Sequence, residues 1–415
     1  MNRSSAEVRG LSPVWYGPLS LPGGVAAGFM GVTLSYLLRH NGVSVAAIAG
    51  LGGLLLLPQT WKFLMGPVVD ICLTGPIWYL IGTTVMIACF LTLAFVPLKG
   101  ASLPLLGVLA LIMGAATAAA NCALSAAMAQ TTPDSRRGAV AGWINTGNLG
   151  GPGLGGGAGL WLATHAGGAV VAALLLAAVC VLAAAPIFWI RTPPRTAGTR
   201  LTEQVKGLGH SLWSLLRTRQ GVLAALVATI PACLGAAANL FPAVSGDWHA
   251  SADLVAGVTG VLGGLVTLPG CLAGGYLCDR FPRRIVYVSA AFACALGEAA
   301  MASAPRDPAW FTGMVLGNAF LLGIGFAALS AVIYECLGPR AAATVASALS
   351  SLANLPLVVM VAVVGAVQTR RGSSAMLYTE AGVAAVAVAV YAALAYAWRP
   401  QPSHAFATPL ASAEA

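Results

Sequence analysis

The ten residues Gly275-Tyr276-Leu277-Cys278-Asp279-Arg280-Phe281-Pro282-Arg283-Arg284 form a charged turn between two long apolar runs, 252 to 277 and 285 to 304. Runs of about 20 apolar residues are long enough to cross a bilayer as helices, whereas a turn this rich in charge belongs outside it. Each residue type in the turn has a physical use. Gly275 lets two helices approach closely. Asp279 can face the positive N-terminal end of a neighbouring helix. Arg280, Arg283 and Arg284 can pair with an acid at the inner end of another helix, for which Glu335 is the candidate. An orientation signal alone would explain the arginines but would require neither Gly275 nor Asp279.

Working outward, the same contrast holds along all 415 residues, of which 58% are apolar or aromatic and 8% charged. Ordinary soluble domains carry roughly 25% charge. With 21 basic and 12 acidic residues the chain cannot dress a water-facing surface, and its mean hydropathy of +0.85 turns that surface toward lipid. The net charge of +9 is no sign of nucleic acid, because the basic residues stand singly between hydrophobic runs instead of forming one patch. The nine cysteines lie in or beside apolar segments without zinc-type pairing and read as small buried hydrophobes. The polar start leads directly into an apolar stretch, which we expect to be a first span, not a cleaved signal.

Apolar stretches recur at 14 to 38, 43 to 66, 76 to 97, 103 to 129, 138 to 164 and 168 to 190. After a polar interval they return at 220 to 244, 252 to 277, 285 to 304, 310 to 335, 341 to 368 and 376 to 398. The expected fold is therefore an all-α membrane protein of twelve transmembrane helices in two six-helix bundles, 1–190 and 220–415, joined by a linker at 191–219. Placing both termini in the cytoplasm assigns sixteen of the 21 basic residues to that side, the excess expected by the positive-inside rule. The interval from Arg191 to Gln220 holds six of the sixteen. It reads as a cytoplasmic connector, either plainly solvated or carrying an amphipathic helix around 205 to 216.

The halves echo one another at an offset of about 205 to 211 residues. Ala123-Leu124-Ser125-Ala126, ahead of a loop with Pro133 and Arg136, matches Ala328-Leu329-Ser330-Ala331, ahead of a loop with Pro339 and Arg340. Leu57-Pro58 before Asp70 likewise matches Leu268-Pro269 before Asp279. Parallel repeats of this kind are a mark of secondary transporters.

On these residues the chain resembles the major facilitator superfamily over essentially its whole length. The stretch 275 to 284 fits that superfamily's pattern GxxxDRx[GP]RR between spans eight and nine. The counterpart in the first half, Gly66-Pro67-Val68-Val69-Asp70, keeps the glycine and acid but lacks the arginines. Together with Leu57-Pro58-Gln59-Thr60-Trp61-Lys62-Phe63-Leu64, it resembles the branch containing muropeptide permeases and acetyl-coenzyme A transporters, and related siderophore permeases. The glycines of span five, Gly138, Gly147, Gly151, Gly155 and Gly156, resemble a pattern of facilitator antiporters and equally serve close helix packing. The resemblance implies that spans one, four, seven and ten line a central cavity, helped by five and eleven.

Polar side chains inside apolar spans are costly unless they line a cavity or pair across helices. The candidates for the substrate cavity are Tyr36, Lys62, Asn121, Ser125, Trp143, Asn145, Asn148, Asn239, Asn318 and Asn354, with Tyr16, Thr33, Ser35 and Ser350 as further polar positions. Lys62 either snorkels to lipid headgroups or faces the cavity and attracts an anion. For proton coupling, Glu298 is the one acid read as lying well within a span. Asp70, Asp279 and Glu335 sit at the inner edge, and Asp247, Asp253 and Glu380 near the outer face.

These readings give a secondary transporter of a small amphiphilic solute working by alternating access. Import of a muropeptide- or siderophore-like metabolite leads, with proton-coupled efflux as the alternative. The clustered nucleophile and base of an enzyme are missing from the pattern, as are cofactor and metal motifs. We expect a monomer in the cytoplasmic (inner) membrane, with protons as candidate coupling ions. A membrane receptor without transport is the remaining reading. Asp279→Ala is expected to abolish most uptake while leaving membrane insertion normal, checked by transport and by protein recovered in the membrane fraction; undiminished uptake would remove the gate role.

Overall fold

The computed structural model describes residues 11–43, 45–97, 99–190, 192, 206, 209–210, 213, 217–230, 235–337 and 342–397. Among them every regular element is helical. Among the described residues, eight runs are long and apolar enough to cross a membrane. The longest, Ala342–Ala397, spans 56 residues and is broken at Gly372 (φ 81°, ψ 179°), so it is two spans. Shorter or interrupted helices supply the rest.

Span one is Pro13–His40. Span two is Val45–Thr60 followed by Lys62–Cys72, with a break at Trp61. Span three is Gly75–Phe95, span four Leu103–Thr131, span five Arg137–Pro152 continuing to His165, and span six Gly168–Trp189. In the second half, span seven starts as Arg219–Thr229 and resumes as Ala237–Leu240, running on to Trp248. Span eight covers Ala252–Val255 through Gly263–Arg280, span nine Arg283–Ser303, span ten Pro308–Glu335, and spans eleven and twelve lie either side of Gly372. The expected linker and its amphipathic helix lie largely outside the described residues.

Two differences from the sequence reading have physical causes. Span two extends beyond 66 to Cys72, because the Gly66–Asp70 face is buried against another helix and not released into a loop. Spans eleven and twelve meet at one residue instead of a loop from 369 to 375. A left-handed glycine at 372 turns the chain at once, a conformation that only glycine adopts without strain.

Large apolar side chains such as Phe95, Leu182 and Phe188 are more than 70% exposed, the surface that lipid covers. Inside, spans one and five pack backbone to backbone. A π-helical turn in each, Phe29–Leu34 and Gly153–Ala158, faces the other. Such turns free carbonyls from the helical ladder, and the Thr33 hydroxyl donates to those of Gly155 (2.8 Å) and Gly156 (3.0 Å). A Cβ on Gly155 would overlap the Val25 carbonyl, whereas Gly157 on the opposite face has open space. Overpacking of this kind costs about 1–3 kcal/mol or more. Gly155→Leu is therefore expected to lower the thermal stability of detergent-solubilised protein clearly, and Gly157→Leu to leave it nearly unchanged.

Candidate functional site

At one end of the molecule the two halves meet through a repeated device. Asp279, at the end of span eight, accepts the N–H groups of Gly138 (2.8 Å) and Ala139 (2.9 Å), the start of span five. Asp70, at the end of the shorter helix of span two, accepts those of Ala343 (3.2 Å) and Thr344 (2.7 Å) and the Thr344 hydroxyl (2.7 Å), the start of span eleven. In both cases the acid in one half caps a helix in the other. The first N–H groups of a helix lack internal partners and carry partial positive charge, so a carboxylate there satisfies both needs.

The glycine one turn earlier makes the approach possible. A Cβ on Gly275 would lie 2.7 Å from the Gly138 carbonyl, and one on Gly66 would lie 2.7 Å from the Ala343 carbonyl. Both distances are too short for real carbon atoms. Thus the four-residue spacing of glycine and acid places the two on one helix face.

The arginines divide their work. Arg284 holds Glu335 (3.2 Å) within the second half. Arg283, which the sequence reading also assigned to Glu335, reaches instead across to Asp134 (3.1 Å) and to its carbonyl. Arg280 lies over the Tyr276 ring at 4.3 Å and takes no part in an ion pair with Glu335. The reason is helical direction: Arg280 still belongs to span eight, whereas Arg283 and Arg284 begin span nine. Sequence reasoning missed Arg137, which donates to the carbonyl of Tyr334 (2.6 Å) in the last turn of span ten and to that of Leu337 (3.2 Å) just after it.

Magnitudes rank these contacts. Asp134 is 67% exposed, and such ion pairs contribute about 0–1 kcal/mol. A helix cap contributes about 0.5–2 kcal/mol and a hydrogen bond from a charged donor about 1.5–3 kcal/mol. The two carboxylate caps and Arg137 are therefore the main links that close this end.

Beyond the closed end lies a cavity of about 150 Å³ between the halves. Lys62, Asn121, Ser125, Asn145 and Asn148 line it from the first half, facing Ser330, Tyr334, Ser347 and Ser350 from the second. Asn145 spans the gap, donating to Ser330 Oγ at 2.9 Å. Lys62 is the one charged residue in the described lining.

Other sequence candidates fall elsewhere. Tyr36 is half exposed and stacks on His40. Trp143 packs against Gly17 and the hydrophobic core. Tyr16 is fully buried, with its hydroxyl 3.0 Å from Thr131 Oγ1. Asn354 is partly buried on span eleven outside this cavity, and the Asn239 side chain lies outside the described residues. Asn318 is buried beside Glu298, away from the cavity lining. Glu298 is itself buried within span nine. Glu380, read as a residue near the outer face, is buried as well: span twelve begins at Gly372, which puts Glu380 two turns inside the helix. No cluster suited to a metal ion occurs among the described residues.

This fold, two helical halves around a polar passage, defines a membrane transporter and not an enzyme. The family model described as Major Facilitator Superfamily matches residues 19–361, and the chain belongs to that superfamily. It is similar in fold to FucP, a transporter of the superfamily solved in the outward conformation (TM-score 0.67, 14% identity, covering 92% of this chain and 97% of FucP). It is similar also to the proton:xylose symporter XylE bound to 6-bromo-6-deoxy-D-glucose (TM-score 0.66, 15% identity, 94% and 96% covered). No curated protein matches the sequence.

The ranking of contacts gives a direct expectation. Paired spin labels at the exposed Leu73 and Phe281, one in each half, should show a longer-distance population that grows about tenfold in Arg137→Gln, as loss of about 1.4 kcal/mol or more requires. Asp134→Ala should leave the distribution nearly as it was.

Proposed function

We propose that this chain is a secondary transporter importing an anionic, amphiphilic metabolite of the muropeptide or siderophore kind, held opposite Lys62. The observation that carries this reading is a lysine in a cavity whose other described lining groups are neutral amides, hydroxyls, a thiol and apolar side chains. A cation withdrawn from bulk water calls for a counter-charge. With no carboxylate in that lining, the solute is the group that supplies one. The resemblance of the stretch from Leu57 to Asp70 to muropeptide and siderophore permeases supports the same substrate class.

In this reading the end bearing Asp70 and Asp279 is cytoplasmic, as the basic-residue excess favours, and the halves 1–190 and 220–415 rock about the cavity with 191–219 as their connector. The solute enters from the opposite face, and its release requires the two helix caps to part. The protein works as a monomer in the inner membrane with both termini inside. Efflux has less support, because the span-five glycines that suggest it are taken up in packing: Gly138 against span eight, and Gly147, Gly151 and Gly155 against span one.

The test is uptake of a labelled anhydromuropeptide and of a carboxylate siderophore into proteoliposomes. Lys62→Gln should raise the apparent KM about 10- to 100-fold, the equivalent of losing one charge-assisted hydrogen bond, and Lys62→Arg should retain most of the affinity. Equal uptake by Lys62→Gln and the parent would overturn the role of Lys62.

A further inference from the structure

The polar groups lining the cavity differ in whether the protein already uses them. Several are committed. Ser125 Oγ donates to the Asn121 carbonyl (2.9 Å) and Ser347 Oγ to the Thr344 carbonyl (3.0 Å). Asn145 gives its amide N–H groups to the Ala141 carbonyl and to Ser330 Oγ, both at 2.9 Å. Lys62, Asn121, Asn148 and Ser350 line the same space, and their side chains make no hydrogen bond or ion pair among the described residues.

Lys62, Asn121 and Asn148 stand on neighbouring helices of the first half. The Cys122 thiol lies 4.0 Å from the Lys62 carbonyl, so span two meets span four one residue from Asn121. On the other flank, a Cβ at Gly23 would lie 3.0 Å from the Thr117 methyl group and 3.9 Å from Asn148 Oδ1. Thr117 stands one turn before Asn121 on span four, and residues four apart share a helix face. The Asn148 carboxamide therefore lies level with the turn of span four that leads to Asn121, and the bare backbone at Gly23 leaves it room.

The size of the space limits what enters it. About 150 Å³ is the room of about five water molecules, below the roughly 300–1,000 Å³ of pockets that enclose a whole drug-sized ligand. It takes the head of an amphiphilic solute, with the remainder directed away from the closed end. Each carboxamide offers an acceptor oxygen and two N–H donors. Two of them suit a planar group with one donor and one acceptor on opposite edges, and an amide is such a group. A solute hydroxyl, which rotates, needs neither the pair nor its planarity.

We propose that Asn121 and Asn148 form an amide-reading subsite beside Lys62. The solute head that fits carries a carboxylate within a few bonds of an amide, as at the C-terminal end of an N-acylated amino acid or short peptide. Its carboxylate lies against Lys62. The amide N–H donates to one asparagine oxygen, the amide carbonyl accepts from the other asparagine, and Ser350 of span eleven faces them from the second half. An ester of the same shape keeps the carbonyl but lacks the N–H, so it leaves an asparagine oxygen without a donor and binds less well. This assignment deepens the anionic-solute reading and rests on it for the carboxylate alone.

The experiment is isothermal titration of the detergent-solubilised full chain with small probes: N-acetylalanine, its ester counterpart 2-acetoxypropionate, the uncharged N-acetylalaninamide and the polyhydroxy acid gluconate. The parent should bind N-acetylalanine about tenfold more tightly than 2-acetoxypropionate. Asn121→Leu and Asn148→Leu should each bring that ratio close to one while keeping the preference for N-acetylalanine over N-acetylalaninamide, and Lys62→Gln should do the reverse. Thermal unfolding verifies that each variant is folded, with Asn121→Ser and Asn148→Ser in place of a leucine variant that is not. An amide-to-ester ratio near one in the parent, or one that survives in both asparagine variants, would overturn the subsite. So would tighter binding of gluconate than of N-acetylalanine, which would make the site a reader of hydroxyls. Equal binding of N-acetylalanine and N-acetylalaninamide, with the amide-to-ester ratio intact, would remove the anionic-solute reading alone. Failure of every probe to bind would overturn both.

Discussion

A carboxylate one turn after a glycine, laid across the first N–H groups of a helix in the other half, occurs twice in this molecule. Asp279 covers the start of span five and Asp70 the start of span eleven. The remaining features of the closed end depend on these two contacts. They set the distance at which the halves meet, which in turn brings Arg137 to the carbonyls of span ten and Arg283 to Asp134. They also fix the floor of the cavity, because Asn145 and Ser330 meet one to two turns above them.

The strength of this closure is suited to a device that must open. Two caps of about 0.5–2 kcal/mol each and one charged donor of about 1.5–3 kcal/mol bias the closed state by an amount comparable to the differential solute binding, about 5.5 kcal/mol, that moves a two-state equilibrium from one extreme to the other. A large apolar contact between the halves would be harder to part. Here the close approach is made through glycines, which bring backbones together while burying little side-chain area. Tight packing is kept inside each half, as between spans one and five, where Thr33 bridges two π-helical turns. Between the halves, polar side chains gather at the cavity.

How much of this was legible in the sequence differs by feature. The spans could be read because bilayer thickness imposes a length and an apolar composition on each, and Gly66, Asp70, Gly275 and Asp279 because one helical turn separates each pair. The arginine partners were only partly legible: side chains at the end of one helix and the start of the next point in different directions, so Arg280, Arg283 and Arg284 have three different neighbours. In the cavity, Lys62, Asn121, Ser125, Asn145 and Asn148 come together, but Tyr36, Trp143 and Asn318 do not, since hydropathy does not fix which face of an all-apolar helix turns inward. Ser330 could have been found, because it stands in the second half where Ser125 stands in the first. Tyr334, one turn further along span ten, follows from it. Glu380 was hidden by the break at Gly372, whose neighbours are polar enough to pass for a loop. The interruption of span seven was hidden because Gly235, which sits at positive φ, is unremarkable in the sequence of a membrane helix.

Backbone hydrogen exchange at the starts of spans five and eleven, measured by mass spectrometry on Asp70→Asn, Asp279→Asn and the double variant, tests the closure most directly. If both caps hold one rigid interface, either single variant will speed exchange at residues 138–139 and also at 343–344, and the double variant will speed both further. Faster exchange confined to the helix whose own cap was removed would show two independent local hydrogen bonds and contradict the account.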